Sequence, residues 1–270
     1  MHRSGRSSLA PMNTPHRRQR TVGCVGDLLD PLRERPDRSA ILTDFDGTLA
    51  PIVEDWTSAR PLPGARETLV DLAGRYAVVG VISGRPASYL AEQLGTSLRL
   101  TGLYGLESIV RGERIAADGA EAWRSCIEKA VDQAEAQFGT LVEDKGLSMT
   151  VHFRTKPELA ADVEKWAARE AKRTGLELRQ AKASVELHPP VTFDKGTVVE
   201  LAVGDLDAAC FLGDDVGDLP AFAALDRLRA RGLRTVKVGV KTSEAPSVLL
   251  DEADVIVDGP PGALELLRSL

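Results

Sequence analysis

The sequence predicts an α/β protein, in which a Rossmann-like parallel sheet carries a smaller inserted α+β domain. Apolar runs that end abruptly in polar residues alternate with helical stretches from residue 40 to 102 and again after residue 195. Such alternation is typical of a parallel sheet with right-handed crossovers. Between residues 105 and 190, hairpin patterns and two long amphipathic helices indicate an antiparallel sheet with helices on one face. We therefore expect a core of residues 23–104 and 191–270 and an inserted domain of residues 105–190.

The core elements follow from the apolar runs and from their boundaries. A strand that is buried on both faces reads as a continuous apolar run, and Gly, Pro or clustered acidic residues mark its end. The core strands are predicted at residues 40–43, 77–82, 98–102, 208–212, 235–238 and 255–257, and the core helices at residues 64–74, 87–94, 195–203, 219–225 and 262–267. The Pro-rich segment 50–63 is predicted to be an irregular loop and a candidate flap over the first strand.

The inserted domain is predicted from turn signals and from helical periodicity. Its strands are expected at residues 108–115, as a hairpin that turns at 111–113, within 141–153, and at 176–180 and 184–187. Its helices are expected at residues 120–138 and 157–174. The order hairpin, helix, hairpin, helix, hairpin predicts a single antiparallel sheet with both helices on one face.

The composition excludes several classes of protein. Residues 1–20 contain five arginines and no acidic residue, and residues 1–22 lack apolar periodicity, so we expect a disordered basic leader. The remaining chain has 29 basic and 40 acidic residues, which argues against a nucleic-acid partner. No run approaches the roughly 20 apolar residues that a membrane span needs. The cysteines Cys24, Cys126 and Cys210 are scattered, which argues against a disulfide framework and favours a cytoplasmic location.

Two carboxylates follow the first predicted strand. Asp44 and Asp46 are separated by one residue, so both can address one small ligand beyond the strand. Two close carboxylates cannot both ionise at low cost unless a cation lies between them or one of them keeps a proton. With Mg²⁺ bound, Asp44 could be ligand and nucleophile, and Asp46 could donate and accept the proton. An ordinary Asp-Gly turn is the alternative interpretation of this stretch.

Other polar residues follow the second and fourth core strands and begin a helix. Ser83 and Gly84 could bind a phosphate through a hydroxyl and free N–H groups, although Ser83 could equally be a helix N-cap. Lys195 would supply a fixed positive charge. Three aspartates in the 214–218 segment would repel one another without a cation, which favours a metal site. Because the carboxyl ends of parallel strands meet at one edge of the sheet, these residues are expected to converge.

Four short stretches resemble the motifs of the haloacid dehalogenase superfamily of phosphatases. They are Asp-Phe-Asp-Gly-Thr at 44–48, Ile-Ser-Gly-Arg at 82–85, Lys-Gly at 195–196 and Gly-Asp-Asp at 213–215. Residues 105–190 resemble the larger, C2-type cap that is inserted between the second and third motifs. The stretches at 102–107, 141–154 and 184–189 are similar to those of the trehalose-6-phosphate phosphatase family, and the similarity runs from about residue 40 to 265.

The resemblance implies a role for each motif residue. Asp44 would be the nucleophile and Asp46 the general acid/base, while Ser83, Gly84 and Lys195 would bind the phosphate. The metal ligands would be Asp44, the carbonyl of Asp46 and Asp214, supported from behind by Asp215 and Asp218. The candidates for contact with the sugar are the cap residues Glu143, Lys145, His152, Arg154 and Glu186. The implied reaction is Mg²⁺-dependent hydrolysis of trehalose 6-phosphate through an aspartyl phosphate.

Three residues depart from the pattern of that family. Tyr104 stands where the family usually has His, and Gly217 and Leu219 stand where it usually has Thr and Glu. These departures bear most on the predicted identity of the substrate. The alternatives are a sugar phosphatase acting on sucrose 6-phosphate or a glycosyl-3-phosphoglycerate, a phosphomutase, and a non-catalytic partner of a trehalose-phosphate synthase. A functional link to such a synthase is also expected if the chain is the phosphatase.

Overall fold

The structure is a computed structural model that describes residues 25–53, 55–181, 183–191 and 193–270. The expected leader at 1–22 and Cys24 lie outside the described residues. None of the described helices combines the length and the apolar character that crossing a bilayer requires.

The described residues form strands and helices in an alternating order. The strands are β1 (Ser39–Thr43), β2 (Val78–Ile82), β3 (Arg99–Gly102), β4 (Glu107–Val110), β5 (Glu113–Ala116), β6 (Val142–Asp144), β7 (Met149–His152), β8 (Glu177–Ala181), β9 (Ser184–His188), β10 (Ala208–Gly213), β11 (Arg234–Lys241) and β12 (Val255–Asp258). The helices are α1 (Val25–Glu34), α2 (Ala65–Ala73), α3 (Ala87–Leu94), α4 (Arg124–Phe138), α5 (Ala160–Thr174), α6 (Lys195–Val203), α7 (Leu219–Ala230), α8 (Ser247–Glu252) and α9 (Gly259–Arg268).

The larger sheet has eight strands in the order β12-β11-β10-β1-β2-β3-β4-β5. The first six of these are parallel, whereas β4 and β5 pair antiparallel at the edge. Ile41 on β1 packs with residues of α1, α2, α3 and α9, while its neighbour Leu42 packs with residues of α6, α7 and α8. Both faces of the sheet are therefore covered, which is why its strands read as continuous apolar runs. The predicted α/β fold class with a parallel sheet is confirmed.

The smaller sheet has four antiparallel strands in the order β6-β7-β9-β8. One of its faces packs on α4 and α5 through an apolar cluster that includes Val151, Val185, Ile127 and Val163. The expectation that the hairpin at 108–115 belongs to this sheet was wrong, since β4 pairs with β3 of the larger sheet, with Thr101 opposite Ser108. The local hairpin signal does not say which sheet edge the hairpin will join. The boundary of the inserted domain at residues 105–190 stays a prediction, and the pairing favours a start after Ala116.

The register of the larger sheet brings the ends of its strands to one edge. Thr43 pairs with Leu212 of β10 and with Val81 of β2. Two hydrogen bonds continue the pairing beyond the strands, since the Asp44 N–H donates to the Leu212 carbonyl at 2.8 Å and the Ser83 N–H donates to the Thr101 carbonyl at 2.9 Å. The residues that follow β1, β2 and β10 are thereby placed side by side.

Candidate active site

A buried lysine joins two buried aspartates at this edge of the sheet. Lys195, the first residue of α6, donates from Nζ to Asp44 Oδ1 at 2.7 Å and to Asp218 Oδ1 at 2.6 Å. All three side chains are at most 8% exposed. Buried ion pairs of this kind keep a fixed geometry, because each group has lost its alternative partners in water.

Asp218 uses both of its carboxylate oxygens within the protein. Oδ1 accepts from Lys195, and Oδ2 accepts from the backbone N–H groups of Asp214, at 2.9 Å, and of Asp215, at 3.1 Å. Asp215 caps the following turn, since its Oδ1 accepts from the Val216 N–H at 2.6 Å. The two carboxylates thus shape the 214–218 segment and fix where Asp214 lies.

Asp214 carries the strongest sign of a cation site. Its Oδ1 is buried and forms no hydrogen bond with any described residue. Oxygen atoms of Asp44, Asp214 and Asp218 lie within 4.8 Å of one another. A buried, unpaired carboxylate oxygen is costly unless a cation or a proton satisfies it. The carboxylate set therefore fits a hard divalent cation such as Mg²⁺, which prefers oxygen ligands.

Gly47 makes room for that carboxylate. A Cβ atom on Gly47 would lie 2.0 Å from Asp214 Oδ2, and the backbone of Gly47 has a left-handed φ of +78°. A residue with a side chain would meet both obstacles at once. The glycine of the Asp-Phe-Asp-Gly-Thr stretch is thus required by the close approach of Asp214.

The charges of the cluster are unbalanced within the protein. Burial raises the pKa of Asp44 to about 7, with Asp218 and Asp46 adding to the effect and Lys195 opposing it. Burial and the charge of Asp44 likewise raise the pKa of Asp214 to about 9. Burial opposes the charge of Lys195, but Asp218 and Asp44 outweigh it and raise the pKa of the lysine. Three carboxylates share one lysine, so added positive charge would stabilise them.

Asp46 is held by Arg85, a residue that the sequence analysis quoted but to which it gave no role. Arg85 Nε donates to Asp46 Oδ2 and Nη2 donates to Oδ1, both at 2.7 Å. The guanidinium also lies over the ring of Tyr89, with its Cζ 5.0 Å from the ring centroid. This bidentate ion pair sets the orientation of the Asp46 carboxylate. Its signal in the sequence was the Arg in Ile-Ser-Gly-Arg.

Ser83 shapes the turn of residues 83–85, which follows β2. Its buried hydroxyl accepts from the Arg85 N–H at 3.2 Å. The N-cap position of α3 is occupied by Pro86, so the alternative interpretation of Ser83 as that N-cap is wrong. Gly84 lies beside it, and its carbonyl accepts from Lys145 Nζ at 3.4 Å.

The smaller sheet directs a polar face towards these strand ends. Glu143, Thr150 and Glu186 are in register on β6, β7 and β9, so their side chains share one face. Lys145 Nζ lies 3.8 Å from a carboxylate oxygen of each glutamate. Burial opposes the charge of Lys145, but Glu186 and Glu143 outweigh it and raise the pKa of the lysine. Thr150, which the sequence analysis missed, has a buried hydroxyl without a hydrogen-bond partner among the described residues.

His152 and Arg154 extend this polar face. His152 Nε2 lies 2.8 Å from Glu143 Oε2, and this contact, with Lys145, lowers the pKa of Glu143 although burial opposes the shift. Arg154 Nη1 lies 3.6 Å from Oε1 of Glu244, which follows β11. Arg154 therefore links the inserted domain to the core.

The residues at the strand ends of the core and the polar face of the inserted domain line one cavity of about 490 Å³. Every predicted site residue except Asp218 contributes to its wall, together with Ile52, Val53 and Asp55 of the candidate flap. Asp218 lies buried behind Lys195 and Asp214. The cavity has an acidic, lysine-containing end at the core and a mixed polar end at the inserted domain, which suits a ligand with an anionic group on a polar body.

The fold is similar to that of haloacid dehalogenase-like hydrolases of known structure. One such hydrolase, from Bacteroides thetaiotaomicron, aligns with a TM-score of 0.56 at 16% identity and covers 86% of this chain and 98% of its own. The C-terminal domain of the Candida albicans trehalose-6-phosphate phosphatase aligns with a TM-score of 0.73 at 23% identity, covering 95% of this chain and all of that domain.

The sequence comparison is more specific than the fold. The trehalose-phosphatase family matches residues 42–253, and the chain belongs to that family. The trehalose-phosphate phosphatase of Mycobacterium leprae (strain TN) is 32% identical over 227 residues, which is 77% of this chain and 52% of that protein. The chain thus spans about half the length of this curated relative.

Proposed function

We propose that the protein is a Mg²⁺-dependent phosphatase that hydrolyses trehalose 6-phosphate to trehalose and phosphate. The observation that carries the proposal is the buried Lys195 between Asp44 and Asp218, with the unpaired Oδ1 of Asp214 beside it. Phosphoryl transfer requires mainly positioning and neutralisation of charge, and this cluster offers both. The membership of the trehalose-phosphatase family supports the choice of sugar.

Asp44 is the proposed nucleophile. Its carboxylate oxygen would form a bond to phosphorus while the bond between phosphorus and the sugar oxygen breaks, which leaves an aspartyl phosphate. Lys195 holds the Asp44 carboxylate at 2.7 Å and neutralises part of its charge. Ser83 and Gly84, at the neighbouring strand end, would contact the phosphoryl oxygens.

Asp46 would carry the proton in both half-reactions. In the first, its carboxyl would donate a proton to the departing sugar oxygen. In the second, its carboxylate would take a proton from the water that attacks the aspartyl phosphate, which releases phosphate and restores Asp44. Because Arg85 engages both oxygens of Asp46, the proton that Asp46 carries must occupy a lone pair that the guanidinium leaves free.

A Mg²⁺ ion would be held by Asp44, the Asp46 carbonyl and Asp214, with Asp215 and Asp218 supporting the ligands. When bound, it would neutralise the charge of the carboxylates and of the phosphoryl oxygens. The unpaired Oδ1 of Asp214 and the space that Gly47 leaves support this assignment.

The inserted domain would select the sugar. Glu143, Lys145, His152 and Glu186 offer alternating donors and acceptors, and the Thr150 hydroxyl, which has no partner among the described residues, adds one more. Sugar hydroxyls are donors and acceptors at once, so a face of this kind suits a disaccharide. We also propose a cytoplasmic location and a functional link to a trehalose-phosphate synthase. A non-catalytic synthase partner is disfavoured, because the nucleophile, acid/base and phosphate-binding residues are all present.

The test is phosphate release from a panel of trehalose 6-phosphate, sucrose 6-phosphate, glucose 6-phosphate, glucosyl-3-phosphoglycerate and mannosyl-3-phosphoglycerate. We expect a preference for trehalose 6-phosphate, loss of activity with EDTA and recovery with added Mg²⁺. Activity on another member alone would keep the reaction but overturn the sugar. Full activity in EDTA after extensive dialysis would overturn the metal assignment.

We expect Arg85→Lys to lower kcat roughly 10-fold with a smaller change in KM, because lysine keeps the charge but cannot form the bidentate hydrogen bonds to both oxygens of Asp46. Steady-state kinetics with the preferred substrate measures the effect. Arg33→Lys, on α1 and outside the cavity, is the control for a generic change from Arg to Lys. An unchanged kcat would show that Asp46 does not depend on Arg85 for its orientation.

A further inference from the structure

Tyr104 has an unusual backbone conformation next to the site. Its φ is +56°, and the φ of Leu103 before it is +51°. The left-handed region is unfavourable for residues that carry a Cβ. Two hydrogen bonds hold the pair to the 83–85 turn, since the Leu103 N–H donates to the Arg85 carbonyl and the Tyr104 N–H to the Ser83 carbonyl, each at 3.0 Å. Backbone strain of this kind persists where the surroundings impose it, and it concentrates at functional sites.

The conformation places the ring of Tyr104 close to Gly84 and in the neighbourhood of Gly217. A Cβ atom on Gly84 would lie 2.6 Å from Tyr104 Oη, and a Cβ atom on Gly217 would lie 4.0 Å from Tyr104 Cε1. The guanidinium of Arg179, on β8 of the inserted domain, lies over the ring with its Cζ 5.8 Å from the centroid. The ring is thus fixed between the 83–85 turn, the 214–218 segment and the inserted domain.

The hydroxyl of Tyr104 is available to a ligand. Tyr104 is half-buried in the cavity wall, and within the part of the chain that the structure describes its side chain forms no hydrogen bond. Burial raises the pKa of Tyr104 to about 12, and Glu186 adds to the effect. The phenol is therefore neutral at neutral pH and keeps its donor proton.

Tyr104 lies where the two ends of the cavity meet. On one side is Gly84 with Ser83, which would contact the phosphate, and on the other are Lys145 and Glu186 of the inserted domain. Lys145 itself reaches Gly84, with Nζ 3.4 Å from the carbonyl. A sugar phosphate with its phosphate at Ser83 and its sugar against Lys145 and Glu186 would therefore lie beside Tyr104.

We propose that Tyr104 is a specificity-determining residue, whose hydroxyl donates to the sugar next to the phosphate and whose ring disfavours a side chain larger than a methyl group at residue 217. The proposal rests on the proposed phosphatase function and adds to it a contact particular to this chain. It also links two departures from the family pattern, Tyr for His at 104 and Gly for Thr at 217.

The geometry at residue 217 supports this pairing. A single methyl group there would make an ordinary contact with the ring, as the 4.0 Å separation shows. Threonine adds two more heavy atoms on that Cβ, which occupy two of the three staggered positions. A bulkier residue at 217 therefore favours a smaller ring at 104, and the imidazole of histidine lacks the outer part of the phenol.

The first experiment tests the hydroxyl. We expect Tyr104→Phe to lower the ratio of kcat/KM for trehalose 6-phosphate to kcat/KM for p-nitrophenyl phosphate roughly 10-fold, mainly through KM, as the loss of one hydrogen bond to substrate predicts. Tyr76→Phe is the matched control, because its hydroxyl binds the Leu270 carbonyl at 3.2 Å and lies outside the cavity. A ratio within about twofold of the wild type would overturn the hydroxyl contact.

The second experiment tests the pairing and needs no substrate. Gly217→Thr is expected to lower Tm more than Gly217→Ala does, and Tyr104→His is expected to relieve that loss in the double variant. Additive changes in Tm across the cycle of Gly217→Thr and Tyr104→His would overturn the pairing.

The two proposals can fail separately. If the wild-type protein hydrolyses another sugar phosphate of the panel, the proposed sugar is wrong, and the Tyr104→Phe ratio is measured with that substrate instead. If the wild type hydrolyses p-nitrophenyl phosphate but no sugar phosphate, the hydroxyl contact is overturned, while the Tm cycle still decides the pairing.

Discussion

Asp44→Asn is expected to lower kcat at least about 10⁴-fold, because an amide cannot attack phosphorus as a carboxylate does. The fold should survive the change. Burial raises the pKa of Asp44 to about 7, so its ionised form is costly in this place and a neutral isostere relieves that cost. Lys195 keeps its second partner, Asp218 Oδ1, at 2.6 Å. Phosphate release and Tm, measured on the same preparation, test both expectations.

The same variant separates two roles of Asp44. A variant that binds the substrate with a Kd near the KM of the wild type but does not turn over supports a nucleophile. If kcat stayed within about tenfold of the wild type in a folded protein, that result would falsify the assignment of Asp44 as nucleophile.

Gly47→Ala is expected to lower kcat/KM by about 10² or more and to weaken Mg²⁺ binding, because the new Cβ would meet Asp214 and displace a metal ligand. The ideal Cβ lies 2.0 Å from Asp214 Oδ2 and 2.5 Å from Oδ1. Steady-state kinetics over a Mg²⁺ titration and calorimetric Mg²⁺ binding measure the two effects independently.

Gly112→Ala is a matched control for this prediction. Gly112 has a φ of +81°, close to the +78° of Gly47, but a Cβ there would have no described atom within 4 Å. Both variants carry the cost of a left-handed alanine, about 1 kcal/mol in the free energy of unfolding, but only Gly47→Ala meets Asp214. If the two variants lost activity equally, the proposed role of Gly47 in seating Asp214 would be wrong.

The central part of the site could be predicted because its geometry follows from topology. Asp44, Ser83 and Asp214 each come directly after an apolar run, and the carboxyl ends of parallel strands meet at one edge whatever the details of packing. The polar face that contains Glu143 and Glu186 could also be predicted, since side chains alternate along a strand.

Other features depend on information that is not local in the sequence. The hairpin at 108–115 has the same turn signal whichever sheet it joins, and the free edge of β3 decided its partner. The left-handed conformation of Leu103 and Tyr104 has no local signal, because neither residue favours it. The ion pair between Arg85 and Asp46 joins residues 39 positions apart. It depends on the register that places the ends of β1 and β2 side by side.

The attachment of β4 and β5 to the larger sheet also decides which strands lie at the borders of that sheet. The two outermost strands of that sheet, β5 and β12, are each only four residues long. The outermost residues of β5 include Glu113 and Arg114, which are exposed and charged. Short border strands are poor templates for pairing with another chain, and the charges on β5 add to this effect, whereas a longer apolar border would favour intermolecular β-sheet and aggregation. Deleting the hairpin of β4 and β5 would leave β3 as the border strand. The edge that contains the buried Leu100 would then be open to pairing with another chain.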